Sequence, residues 1–232
     1  MAVHDGHRER LKERFRSEGL DGFTEVQVLE LLLFYSVPRK DTNEIAHALL
    51  EKFGTLAQVL DANPADLEKV PGMGSSSALF LKLLSAAGRR YQISRTESAT
   101  ILRTLEQCGA YLQPRFFGRK HEAVFLLCLD AKCKVLACKQ VGEGSVNSAG
   151  VPIRRIVETA LSANATMVVL AHNHPSGLAL PSADDIQTTK RLAVALDTVE
   201  IALIDHLVFS DDDYVSMAQS GYFKPGESMC VL

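Results

Sequence analysis

The chain has 232 residues, of which 47% are hydrophobic and 23% charged; this is ordinary globular usage, which excludes wholesale disorder and allows one large domain or two small ones. The formal net charge is -3, with 13 basic against 13 acidic side chains up to Arg95 and 12 against 15 beyond it, so neither half is a basic body that binds nucleic acid by charge alone. No apolar run approaches the roughly 18 to 20 residues that cross a bilayer, and MAVHDGHRERLKERF has no apolar stretch of the signal-peptide kind, so a soluble, cytoplasmic protein is expected.

The opening ninety or so residues read as short helices. Arg8 to Phe15 is a charged helical run, and Val26 to Phe34 (VQVLELLLF) is apolar enough to be a buried helix ending before Pro38. Asp41 to Phe53 follows, opened by Thr42 as a cap and closed by Gly54. Pro64 to Val70 makes one more short helix, Pro71-Gly72-Met73-Gly74 turns the chain, and Ser75 to Arg90 resumes at helical spacing.

This helix, Gly-x-Gly turn and second helix resemble the helix-hairpin-helix module, which grips nucleic-acid backbones without reading sequence. Gly72 and Gly74 let the backbone approach an anion while the free N–H groups of the next helix point at it. An ordinary turn between packed helices explains the same pattern. No lysine or arginine lies within the hairpin, and the nearest basic residues are Lys69, Lys82, Arg89 and Arg90.

Gln92 to Thr100 (QISRTESAT) is small and polar, and reads as a linker. It separates a helical domain over 1–95 from a second domain over 101–225. The second domain carries strand-like runs at Ala123 to Leu129, Lys134 to Gln140, Thr166 to Ala171, and Ile201 to Ile204 followed by Leu207 to Phe209, with helical stretches at Ile153 to Ala163 and Ser182 to Leu196. That order predicts an α/β domain, a mixed sheet flanked by helices. The five cysteines (Cys108, Cys128, Cys133, Cys138, Cys230) are odd in number and form no C-x-x-C pair, as reduced thiols would be.

The chemistry concentrates after Thr166 to Ala171, where His172 and His174 follow the strand. Residues two apart on an extended chain face the same side, so both imidazoles can converge on one ion, and Pro175 stops the strand so that the site sits at a sheet edge. A catalytic zinc site uses three protein ligands and leaves a position for water. Asp185, in the first turn of the helix opened by Ser182, is the candidate third ligand. Ser182 and Asp185 also form a capping-box pattern, and the two roles can coexist.

The pattern His172-x-His174-x(7)-Ser182-x-x-Asp185 resembles the JAMM (JAB1/MPN+) zinc metalloprotease signature, and HNHPSG with PS..D is most similar to its bacterial RadC branch. The similarity runs through HRERLKERF, LELLLFYSVPRKD, FGTL and PGMG, then GSVNSAGVPIRRIVETAL and IDHLVFSDDDYVSM. The resemblance implies that His172, His174 and Asp185 ligate Zn2+, that Ser182 stabilises an oxyanion, and that an upstream glutamate handles the water. Glu122, opening EAVFLLCL, matches that position, with Glu143 and Glu158 as rivals. His206 is expected to support the site structurally, and His4, His7, His47 and His121 to lie on the surface.

The implied activity is metal-assisted hydrolysis of an amide bond in a peptide or protein substrate. The alternative is a DNA-associated protein that docks through the Gly72 and Gly74 hairpin and carries a structural or accessory zinc site. A zinc nucleobase deaminase would need an H-x-E motif followed by P-C-x-x-C, and the chain has no P-C-x-x-C.

Overall fold

Three helices of the chain open at the same short motif, a threonine followed three residues later by glutamine, and the motif works by capping. The structure is a computed structural model that describes residues 3–38, 40–96, 100–143, 152–175, 177–210 and 213–225. Part of the expected linker, Ser176 of the HNHPSG motif and the GSVNSAG stretch lie outside them. Two compact units form, Met1–Gly88 and Arg89–Leu232.

The first unit is helical. After α1 (Val3–Glu18), Thr24 and Gln27 form a reciprocal capping box that starts α2 (Glu25–Leu33). α3 (Asn43–Phe53) departs from the expected cap: Thr42 has helical backbone angles, makes no capping bond, and buries an unpartnered Oγ1. The carboxylate of Asp41 accepts from the Asn43 N–H at 2.8 Å instead. Asp41 can reach that N–H across two residues, whereas Thr42 is already wound into the turn.

A helix absent from the expectation, α4 (Leu56–Asp61), opens at a second capping box, Thr55 with Gln58. α5 (Pro64–Leu67) is capped by Asn63 and has Pro64 in its first turn, and α6 (Ser75–Thr96) follows the hairpin. Leu29, Leu33, Leu49, Leu67 and Leu81 are fully buried in the core of this unit. α6 continues through the first part of the expected linker, and the division between units falls within it, after Gly88.

The second unit is a five-stranded mixed sheet. α7 (Leu105–Phe116), also absent from the expectation, opens at Thr104, whose hydroxyl accepts from the Gln107 N–H. β1 (Ala123–Leu129), β2 (Val135–Glu143), α8 (Ile153–Ser162), β3 (Met167–Asn173), α9 (Ala183–Asp197), β4 (Ala202–Phe209) and β5 (Tyr214–Ser216) follow. The spatial order is β2-β1-β3-β4-β5. β1 runs antiparallel to β2 and β3, β3 parallel to β4, and β4 antiparallel to β5.

Every residue of β1, β3 and β4 is buried, because helices cover both faces of these central strands. On one face α7 packs Leu105, Leu112 and Phe116 onto Phe125, Val169 and Phe209. On the other, Ile156 and Ala160 of α8 and Leu192 and Leu196 of α9 meet Val124, Val168 and Leu170. The two runs expected at 201–204 and 207–209 are one strand, with Asp205 and His206 buried inside it. A register shift between Val168 and Val169 sets the phase that turns His206 toward the α8 and α9 face. Among the described residues no helix is long and apolar enough to cross a membrane.

Candidate metal centre

The alternation of β3 decides which of its side chains meet. Val168 and Leu170 face α8 and α9, so His172 faces that way too, fully buried. The centre therefore sits at the C-terminal end of a central strand and not at a sheet edge: β4 continues alongside, and the Phe209 carbonyl accepts the His174 N–H at 2.8 Å. Ser182 is the N-cap of α9, and Asp185 lies in its first turn, where the helix dipole favours a carboxylate.

His172, His174 and Asp185 form a three-residue group with candidate ligand atoms all within 4.8 Å of one another. The two Nε2 atoms are 2.9 Å apart. Asp185 Oδ1 lies 3.5 Å from the Nε2 of His172, and Oδ2 lies 3.6 Å from the Nε2 of His174. Donors that share one zinc at bonds of about 2.1 Å can stand at most about 4.2 Å apart, and each of these separations fits.

The tautomers can be read from the surrounding partners. The Thr189 hydroxyl donates to the Asp185 carbonyl at 2.6 Å, so its oxygen must accept from His206 Nδ1–H, also at 2.6 Å. Burial pushes His206 well below the ordinary histidine range, so the ring is neutral and its Nε2 carries only a lone pair. That lone pair accepts from His172 Nδ1–H at 2.8 Å. His174 Nδ1 donates to the Leu178 carbonyl at 3.1 Å.

Both Nε2 atoms are then bare lone pairs aimed at one point, beside a carboxylate. Burial alone would raise the Asp185 pKa, but His172, whenever it carries a second proton, and the hydrogen bonds of Ser182 outweigh it and hold the carboxyl well below the usual range. Two lone pairs and an anion in a buried pocket repel one another unless a cation joins them. The donor set therefore fits a divalent metal, with His174, the one partly exposed member at 15%, on the side open to water.

Ser182 and Asp185 form the reciprocal cap as well. Asp185 N–H donates to Ser182 Oγ at 3.1 Å, Ser182 N–H donates to Asp185 Oδ2 at 2.8 Å, and Ser182 Oγ lies 2.5 Å from the same Oδ2. The capping carboxylate is thus also the candidate ligand.

Glu122 is half-buried and directly precedes β1, outside the three-residue group. The last antiparallel pair of β1 and β3 is Val124 with His172, and Glu122 stands two residues before it, so the alternation of β1 assigns Glu122 to the face of Val124 and His172. Its rivals lie elsewhere. Glu143 pairs with Ala123 and so turns to the α7 face, and Glu158 is ion-paired to Arg154 at 2.7 Å. Of the remaining histidines, His47 and His121 are exposed, while His7 reaches the buried Glu30 at 2.9 Å.

A family model described as RadC-like JAB domain matches residues 102–222. A UPF0758 protein from Fusobacterium nucleatum subsp. nucleatum is 33% identical over 225 residues, covering 94% of this chain and 97% of its own. The chain belongs to the RadC family. The matched span holds the whole sheet and all three helices packed on it, so the RadC-like domain and the metal centre occupy the same unit. The contacts of Thr189 with His206, and of Asn173 with the start of β1, arise only in three dimensions. Thr189 stands one helical turn from Asp185, and Asn173 lies between the histidines, but neither residue type in isolation signals a role.

Proposed function

We propose that this RadC-family protein is a zinc-dependent hydrolase that cleaves an amide bond, peptide or isopeptide, with metal-activated water. The observation that carries the reading is the pair of bare Nε2 atoms of His172 and His174 converging at 2.9 Å beside the Asp185 carboxylate. Zinc at this centre would supply Lewis acidity and a water acidified to near neutral pKa. Glu122, on the same face, takes the proton from the attacking water and passes it to the leaving amine nitrogen. His206 and Thr189 hold His172 in the tautomer that keeps Nε2 free. Ser182 orients Asp185, and its hydroxyl turns to donate to the oxyanion as the carbonyl becomes tetrahedral.

The test is metal analysis of the purified protein together with peptide and isopeptide substrate profiling, comparing wild type with Glu122→Gln. Zinc near one equivalent in both proteins, with cleavage in wild type alone, is the expected result. An active Glu122→Gln protein would remove the assigned proton carrier.

A second reading, binding of DNA phosphates by the first unit, has its own observation. A pocket of about 570 Å³ is lined by Gly72, Gly74, Ser75, Ser76, Ser77 and Lys40, at the N-terminus of α6. Other basic residues nearby are engaged: Lys69 with Asp66 at 2.8 Å, and Lys82 with the Leu60 carbonyl at 2.6 Å. Contact through backbone N–H groups is the mode this pocket suits. A DNA affinity that falls steeply with salt and is weakened by Lys40→Ala supports it.

A further inference from the structure

Asn173 stands between the two histidines but, by strand alternation, turns to the opposite face, so it cannot join the metal centre itself. Its side chain is buried at 5% exposure and works sideways, across to the start of β1. Oδ1 accepts from the Ala123 N–H at 2.8 Å, and Nδ2 donates to the His121 carbonyl at 3.3 Å. The main-chain ladder between β1 and β3 stops at Val124 and His172, and the amide takes the next rung.

Those two bonds hold the two peptide planes on either side of the Glu122 Cα. Both backbone torsions of Glu122 are thereby restrained, and with them the direction of its Cα–Cβ bond. A primary amide suits this, because one partner is a pure donor and the other a pure acceptor. Aspartate offers two acceptors and could keep only the Ala123 bond. A residue just beyond a strand end ordinarily frays, so aiming its carboxylate needs such a clamp.

We infer that Asn173 is a positioning residue, which aims Glu122 at the His172, His174 and Asp185 centre by clamping the main chain on both sides of it. The inference rests on the proposed role of Glu122.

The experiment loads the full chain with Co2+ and reads the pH midpoint of its visible bands, which senses the carboxylate beside the metal. Glu122→Gln is expected to move the midpoint by about one pH unit, as removal of a neighbouring charge does. Asn173→Ala is expected to bind Co2+ in the same stoichiometry and to move the midpoint in the same direction. In the double variant no shift beyond that of Glu122→Gln remains. Asn173→Ser, which is neutral and too short to hold both bonds, gives a shift in the same direction that also vanishes in the Glu122→Gln background, and it carries the test should Asn173→Ala not fold. A wild-type midpoint in the Asn173 variants, with Glu122→Gln shifted, overturns the clamp alone. So does a shift that persists without Glu122. An unmoved midpoint in Co2+-loaded Glu122→Gln overturns the Glu122 reading and the clamp with it.

Discussion

His206 Nε2 accepts the Nδ1–H of His172 across 2.8 Å, between two parallel strands of one sheet. The bond belongs to a chain running from the Asp185 carbonyl through the Thr189 hydroxyl and the His206 ring, so the main chain of one candidate ligand sets the tautomer of another. His206→Phe fills the volume but leaves His172 free to place its proton on Nε2. Zinc affinity is expected to fall roughly 10- to 100-fold, the usual effect of removing such a partner. Competition with a chromophoric chelator measures it, and Thr189→Val should act in the same direction.

Ser182 and Asp185 form one cap and Asp185 is also a candidate ligand, and two substitutions separate these roles. Ser182→Ala removes the acceptor for the Asp185 N–H and should cost the metal-free protein about 1 kcal/mol, read by urea unfolding. Asp185→Asn retains an oxygen for the Ser182 N–H, so metal-free stability should fall less. Metal binding should be lost in that variant, because the charge is gone. Equal destabilisation by both would contradict the shared role.

Gly72 and Gly74 flank the same turn under different constraints. Gly72 has φ +88, and a Cβ there would meet Ile45 side-chain carbons at 2.8 Å. Gly72→Ala should therefore destabilise by about 1–3 kcal/mol. Gly74 has nothing within 4 Å of an added Cβ, and Gly74→Ala should leave the unfolding midpoint nearly unchanged. Gly74→Ala is thus the variant whose DNA affinity reports on the hairpin and not on the fold.

Burial pushes the Cys108 thiol from an ordinary 9.0 up to about 12, and the Cys128 thiol up to about 11. With folded values above the unfolded ones, the neutral thiols stabilise fully below pH 9.0 and that contribution is lost as pH rises toward about 12. Unfolding free energy should decline over this window, and less steeply in Cys108→Ala. In the native protein near neutral pH, alkylation mapped by peptide mass should label the half-buried Cys138 and spare Cys108 and Cys128.

Much of this architecture is legible in one dimension. The strand over Ala123 to Leu129 and the helices beginning at Ile153 and after Ser182 follow from apolar runs and caps, because local propensity and burial agree there. α4 and α7 were legible too, in Thr55-x-x-Gln58 and Thr104-x-x-Gln107, where glutamine stands in for the commoner glutamate. β4 was misread as two runs because Asp205 and His206 look like a loop until their buried partners are known: Ser216 for one, His172 and Thr189 for the other.

His172, His174 and Asp185 already stand out in one dimension as candidate ligands, because the two histidines alternate along one extended run and Asp185 is placed by its own helix cap a short stretch of chain later. The other relationships needed the folded sheet. Strand register turned Glu143 to the α7 face, away from the histidines. Sheet pairing brought His206 to His172 from 34 residues off, and Asn173 to Ala123 from 50. Hydrogen bonds of that span depend on which strands become neighbours, and the burial of a whole sheet settles that, not any local motif.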